Sequence, residues 1–138
     1  MVLTLPLGAL LCSPSLAAGE SPLAIRGYDP VAYFSLQRAT PGVAQYGYEW
    51  DELRWQFANA QHRDLFKANP VRYAPQFENF CTVALAMGEV HEANPEYWLI
   101  IDDKLYLFGE SFGPKVFRKD FKAMLERANK NRVLLPKK

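Results

Sequence analysis

The sequence predicts a small α+β domain in which two antiparallel β-hairpins pack with about three short helices. Residues 46–57 and 97–108 each read as two short strands rich in large apolar side chains, and two acidic residues in the middle of each stretch suit a tight turn. Apolar residues then recur at helical spacing over residues 117–128. The length of 138 residues is enough for one such domain, which we place at residues 22–130.

Composition and charge exclude two broad classes of protein. Hydrophobic residues make up 49% of the chain and aromatic residues 14%, so the chain can bury a dense core and is not disordered. The formal net charge of +1 lacks the basic excess of a nucleic-acid binder, and no nucleic-acid partner is expected. Residues 115–138 are locally basic, which indicates a solvated helix face or a surface for an acidic partner or anionic lipid. The last part of this segment, residues 131–138, is predicted to be a frayed tail.

The first residues predict export. Residues 2–12 are almost continuously apolar but too short to span a bilayer, and small residues follow. We therefore predict a signal peptide over residues 1–18, cleaved after Ala17 or Ala18, a periplasmic or secreted domain, and no stable membrane span after cleavage. A lipoprotein anchored at Cys12 is one alternative, although Leu11 is larger than a lipidation site prefers. An uncleaved anchor is the other.

The middle of the chain is organised around a predicted helix over residues 60–68. Asn59 can cap its first turn, and the pair Asn69-Pro70 ends it because the residue before proline avoids helical geometry. Leu65 and Phe66 would form its apolar side. Further elements are a short turn opened by Asp29 and Pro30, a helix or strand over residues 82–87, a polar loop over residues 89–96, and two final helices divided at Asp120. The predicted central core consists of Trp55, Phe57, Phe66, Tyr73, Trp98 and Leu105.

Several segments of the chain resemble the YHS-domain family, in particular its secreted members. The matching segments are GYDPVAYF at 27–34, HRDLFKANPVRYAPQF at 62–77, Cys81, NPE at 94–96 and DDKLYLF at 102–108. The resemblance implies a small α+β fold and an association with heavy metals, often copper. The chain departs from the family in three places: Glu78-Asn79-Phe80 precedes the cysteine where Gly-Gly-Tyr is common, Gly109 replaces a frequent asparagine, and the family's terminal tryptophan is absent after Asn131.

The predicted metal site centres on Cys81. Once Cys12 is removed, Cys81 has no cysteine with which to form an internal disulfide. Met87 and His91 follow closely, and a thiolate, a thioether and an imidazole together suit copper or another soft metal. Glu89 and Glu92 flank the imidazole and would orient it.

Each of these residues also has an ordinary interpretation. Cys81 can be a packed core thiol, because free cysteine is among the most buried residue types, and Met87 can be a core side chain. His62 is a surface histidine, or a further ligand if its helix faces the thiol.

Three hypotheses therefore stand for the function. The first is an exported metal-binding domain, the second a structural or interaction module that binds a cell-envelope protein, and the third a redox-responsive thiol protein. No pair of a nucleophile and a base is recognisable in the sequence, so no enzyme is predicted.

Overall fold

The computed structural model describes residues 20–138, so the predicted signal peptide and its cleavage site lie outside the described residues. These residues form two antiparallel two-stranded sheets and a set of short helices, which confirms the α+β class. The strands are β1 (Val43–Trp50), β2 (Leu53–Phe57), β3 (Asn94–Ile101) and β4 (Lys104–Phe108). The α-helices are α1 (Ala32–Ser35), α2 (Ala60–Ala68), α3 (Pro70–Tyr73), α4 (Thr82–Ala86), α5 (Gly113–Lys119) and α6 (Phe121–Asn131), with 3-10 turns at Ala24–Gly27 and Arg132–Leu134.

The first hairpin pairs the predicted aromatic side chains across its strands. Tyr48 lies opposite Trp55 and Trp50 lies opposite Leu53, in the register that the alternating pattern predicts. Tyr46 lacks such a partner because a bulge in the first half of β1 shifts the register. In the second hairpin, β3 begins already at Asn94, within the segment that was predicted to be a polar loop.

Both hairpins turn through two acidic residues in the left-handed region. The φ angles are 53° at Asp51, 62° at Glu52, 51° at Asp102 and 61° at Asp103. Two successive residues of positive φ make a type I′ turn, whose twist matches that of the flanking strands. Glycine usually occupies the second position, because a residue with a Cβ is strained there.

Replacing Glu52 with glycine should therefore raise the free energy of unfolding by about 0.5–1 kcal/mol. Glu52 is exposed, so the substitution removes strain without removing core packing. The urea midpoint at unchanged slope measures the gain. Asp103→Gly is the matched control: its carboxylate accepts from Arg72 Nη1 at 2.6 Å, so its gain should be smaller. A destabilised Glu52→Gly variant would contradict the idea that this turn is strained.

Helix α2 begins and ends where the sequence predicts. The side chain of Asn59 accepts from the backbone N–H of His62, and Asn69 closes the helix and caps α3 in turn. Its apolar side is narrower than predicted, since Phe66 is fully buried whereas Leu65 is 41% exposed. The helix therefore contacts the body of the domain mainly through one ring.

The Phe66 ring is the centre of the first hydrophobic cluster. The ring centroids of Tyr48, Trp50, Trp55 and Phe57 lie 5.0–6.3 Å from it, in tilted or edge-on arrangements. The six predicted core residues all belong to this cluster, which confirms the prediction. Trp55, Phe57, Phe66 and Leu105 are buried, and Tyr73 and Trp98 are half-buried.

A second hydrophobic cluster lies beneath α4, α5 and α6, and β4 separates it from the first. Successive residues of β4 point to opposite faces: Leu105 and Leu107 enter the first cluster, and Tyr106 and Phe108 enter the second. Phe117 is fully buried against both of these aromatic rings. The final helical region divides at Asp120, as predicted.

Several C-terminal residues, predicted to form a frayed tail, contact the body of the domain. Arg132 donates to the carbonyl oxygen of Gln76 at 2.9 Å, and its guanidinium lies 4.5 Å from the centre of the Phe77 ring. Leu135 packs against the second cluster. The ammonium of Lys138 pairs with Asp51, and it also pairs with Glu78 at 3.1 Å. Long basic side chains thus attach this segment to the body of the domain.

Between residues 20 and 138, none of the helices has both the length and the apolar character required to cross a bilayer.

Candidate functional site

Cys81 lies at the start of α4. Residues 82–87, for which the sequence allows a helix or a strand, are therefore mainly helical. Its backbone N–H donates to the carbonyl oxygen of His91 at 2.8 Å, so the segments carrying the two residues are directly joined. Its Sγ accepts from the N–H of Ala84 at 3.5 Å and caps the helix. The residue is 7% exposed, which places the thiol at the edge of the second hydrophobic cluster.

The thiol lines an open cavity of about 290 Å³. Met87 and His91 line the same cavity, so three of the four predicted ligands are brought together. The fourth, His62, is not among the lining residues. Glu89, Glu92 and Glu110 also contribute to the walls, and this concentration of carboxylates favours the entry of a cation.

Met87 is 72% exposed, so the interpretation of this residue as a core side chain is wrong. Helix α4 ends one residue earlier, and Gly88 then turns the chain away with a φ of 84°. The methionine therefore lies outside the packed face of the helix. Its thioether is accessible to a ligand in the cavity.

The ring of His91 is oriented by Glu89, as predicted. Its Nε2 lies 2.9 Å from the Glu89 carboxylate, and because a carboxylate only accepts, this nitrogen donates. In the neutral ring the lone pair is then on Nδ1, which has no hydrogen-bond partner within residues 20–138. Glu92 does not orient the ring. It accepts from Arg26 Nε at 3.2 Å and from the amide of Asn79 at 3.0 Å instead.

Two backbone features shape the surroundings of the thiol. A Cβ at Gly109 would lie 3.6 Å from the Cβ of Cys81 and 3.9 Å from its Sγ, so a side chain there would contact the cysteine. Glu78 has a φ of 54°, so a residue with a side chain takes the left-handed conformation where glycine is common in the family that the chain resembles. The backbone path that leads to Cys81 therefore forms without a glycine at position 78.

Within the described part of the chain, no three His, Cys, Asp or Glu side chains group together as a metal-binding cluster. The donors that share the cavity are instead one thiol, one thioether and one imidazole. This set lacks the four nitrogen or sulfur ligands typical of structural zinc.

His62 occupies a different environment from the one predicted. It is buried, with 6% of its surface exposed, and both of its ring nitrogens have partners. Nδ1 lies 2.5 Å from Oδ2 of Asp29, and Nε2 lies 3.1 Å from Oγ of Ser35. The prediction of a surface histidine is therefore wrong. His62 does not line the Cys81 cavity, so the condition for its role as a further ligand, a helix that faces the thiol, is not met.

Of this second set, only the role of Asp29 could be predicted from the sequence. Asp29 is predicted to cap a helical turn, and its Oδ1 accepts from the N–H groups of Val31 and Ala32. Nothing local connects it with His62, which lies 33 residues further along the chain.

In comparisons with protein-family models, curated proteins and solved structures, no match to this chain was found. The resemblance to the YHS-domain family accordingly stays a prediction from the quoted residues.

Proposed function

We propose that the chain is an exported binding domain that holds a copper-type soft metal ion through Cys81, with His91 and Met87 as further ligands. The observation that carries the proposal is that these three side chains line one open cavity. They are spread over ten residues and reach it from a helix start, a helix end and the loop before β3. The export signal predicted over residues 1–18 supports a place in the periplasm or outside the cell.

The chemistry of the donors supports Cu(I) over other metals. A thiolate and a thioether are soft ligands, and imidazole suits copper as well, whereas magnesium and calcium prefer oxygen. The N–H of Ala84 donates to the sulfur at 3.5 Å, which fixes the position of Sγ at the start of α4. Glu89 holds the imidazole in one orientation, as outer-shell carboxylates do in metal sites.

The burial of Cys81 favours a second candidate, a structural or interaction module of the cell envelope. A thiol that is 7% exposed and belongs to a hydrophobic cluster can serve packing alone. In that case the partner is an envelope protein, and the cavity binds no metal. The third candidate, a redox-responsive thiol, has less support because Cys81 is only 7% exposed and the charged residues that line its cavity are acidic rather than basic.

Competition with a colourimetric Cu(I) chelator distinguishes these candidates. The mature protein should withdraw copper from the chelator, and Cys81→Ser should lose most of this affinity. His91→Ala and Met87→Leu should weaken binding less, because each leaves the thiolate in place. Met124→Leu, in which the altered methionine is half-buried in α6, is the matched control and should bind as the wild type does.

Binding should also weaken as the pH falls, because protons compete for the thiolate and for the imidazole lone pair. Thermal melts of the same variants separate binding from packing. A packed thiol predicts that Cys81→Ser lowers the melting temperature by burying a hydroxyl. Equal competition for copper by the wild type and Cys81→Ser would overturn the metal proposal.

A further inference from the structure

Asp29, His62 and Ser35 form a continuous hydrogen-bonded series from the interior of the domain to its surface. Asp29 is fully buried, His62 is 6% exposed, and Ser35 is exposed at the end of α1. The imidazole bridges the other two, with 2.5 Å between Nδ1 and the carboxylate and 3.1 Å between Nε2 and the hydroxyl. None of the three residues lines the Cys81 cavity.

The carboxylate fixes the orientation of the ring. Its Oδ1 accepts from the N–H groups of Val31 at 2.9 Å and Ala32 at 3.2 Å, and its Oδ2 accepts from that of Ala58 at 2.9 Å. Because these three contacts are donors, Asp29 is held as an acceptor, and Nδ1 of His62 carries the hydrogen that it receives. In the neutral ring, Nε2 is then left with a lone pair directed at the serine.

The serine hydroxyl lies within hydrogen-bond distance of two acceptors. Ser35 Oγ donates to the carbonyl oxygen of Val31 at 3.1 Å, and it lies 3.1 Å from His62 Nε2. When the hydroxyl turns to the imidazole instead, transfer of its proton leaves a more nucleophilic oxygen. A hydroxyl, an imidazole and a buried carboxylate in this order are the constellation by which serine is activated for acyl transfer.

The backbone immediately after Ser35 supplies hydrogen-bond donors. Leu36 is right-handed, with φ −110° and ψ −11°, and Gln37 is left-handed, with φ 52°. This alternation gathers successive N–H groups into a concave, anion-binding arrangement. In the part of the chain that the structure describes, the N–H groups of Gln37 and Arg38 donate to no acceptor. Free donors next to a nucleophile are what the oxyanion of a tetrahedral intermediate requires.

A groove of about 530 Å³ lies next to the segment that carries the serine, although Ser35 and His62 are not among its lining residues. Phe34 and Gln37 line it together with Trp98, and Asp103 and Arg118 add charged groups. Aromatic and charged side chains together suit a carboxylic ester that carries a polar substituent.

We infer that Ser35 is an activated nucleophile that accepts an acyl group from a carboxylic ester, with His62 as general base and Asp29 as the residue that orients it. Ser35 Oγ forms a bond to the carbonyl carbon while its proton passes to His62 Nε2. The bond from that carbon to the alcohol oxygen then breaks, and the same proton passes to the departing alkoxide. In a second round the oxygen of a water molecule bonds to the acyl carbon while His62 takes its proton. The bond from that carbon to Ser35 Oγ then breaks, the proton passes from His62 to Oγ, and the carboxylic acid leaves.

A fluorophosphonate probe tests whether the serine is activated, since attack by Oγ forms an oxygen–phosphorus bond and releases fluoride. We expect the folded protein to form an adduct that mass spectrometry of its peptides locates at Ser35. Ser35→Ala should abolish the labelling and keep the fold, because the side chain is exposed. Ser111→Ala, at a second exposed serine, is the matched control and should be labelled as the wild type is.

Alkylation of introduced thiols tests the contribution of His62 without disturbing buried residues. Ser35→Cys and Ser111→Cys both keep Cys81, so the wild type gives the background rate with iodoacetamide. If the imidazole draws the proton from position 35, Ser35→Cys should react at pH 7 at least about tenfold faster than Ser111→Cys. Absence of a fluorophosphonate adduct at Ser35, or equal alkylation rates for the two variants, overturns the inference.

Discussion

Phe66→Ala should lower the free energy of unfolding by about 3–5 kcal/mol, the usual cost of removing a large buried aromatic side chain. Phe66 is fully buried, and its ring is the one through which α2 contacts both strands of the first hairpin. Removing it leaves a cavity surrounded by rigid aromatic rings, which cannot collapse to fill the space. Urea denaturation, with the slope held to its wild-type value, measures the loss.

Leu65→Ala is the matched control for this substitution. Leu65 lies on the same helix but is 41% exposed, so the change should cost less than about 1 kcal/mol. A loss of less than about 1 kcal/mol for Phe66→Ala would show that α2 is held by other contacts. Equal losses for the two variants would show that helix propensity, rather than burial, determines the effect.

Asp29→Ala should be comparably destabilising, at about 3–5 kcal/mol. The substitution leaves the N–H groups of Val31, Ala32 and Ala58 without their acceptor, and it leaves the buried imidazole of His62 without its own. Each buried donor that loses its partner costs about 1–3 kcal/mol, although relaxation and water recover part of the sum. Thermal and urea unfolding of the variant measure the loss.

Two further variants show whether the hydrogen bonds of Asp29 are responsible. Asp29→Asn keeps the volume and one acceptor oxygen, so it should lose less stability than Asp29→Ala. Asp64→Ala removes an exposed carboxylate 3.6 Å from Arg63 and should change the free energy of unfolding by less than about 1 kcal/mol. If Asp29→Ala were as mild as Asp64→Ala, the network would contribute little to the fold.

The parts of the fold that depend on local patterns could be predicted from the sequence. The hairpins follow from alternating aromatic residues around Asp51-Glu52 and Asp102-Asp103, and α2 follows from Asn59 and Pro70, because both kinds of signal act within a few residues. Leu65 is predicted on the apolar side of α2, and Met87 is predicted as a metal ligand or a core side chain, yet both side chains are exposed. Their exposure depends on the direction in which a helix faces and on where it ends, and neither is fixed by residue type.

The two candidate sites differ in how far apart their residues lie in the sequence. Cys81, Met87 and His91 are close in sequence, so their chemistry could be recognised together before their positions were known. Asp29, Ser35 and His62 meet only through the tertiary fold, since the serine and the histidine are 27 positions apart in the sequence. A contact made by packing leaves no local signature, and a single sequence does not reveal it.

Strand β4 contributes alternate side chains to both hydrophobic clusters, and this has a consequence for how the domain comes apart. Neither cluster can open without exposing one face of the same five-residue strand to water. The clusters are therefore thermodynamically coupled, and the domain behaves as one cooperative unit rather than as two that melt in sequence. A disturbance near Cys81 in one cluster is felt at Phe66 in the other through the strand that they share.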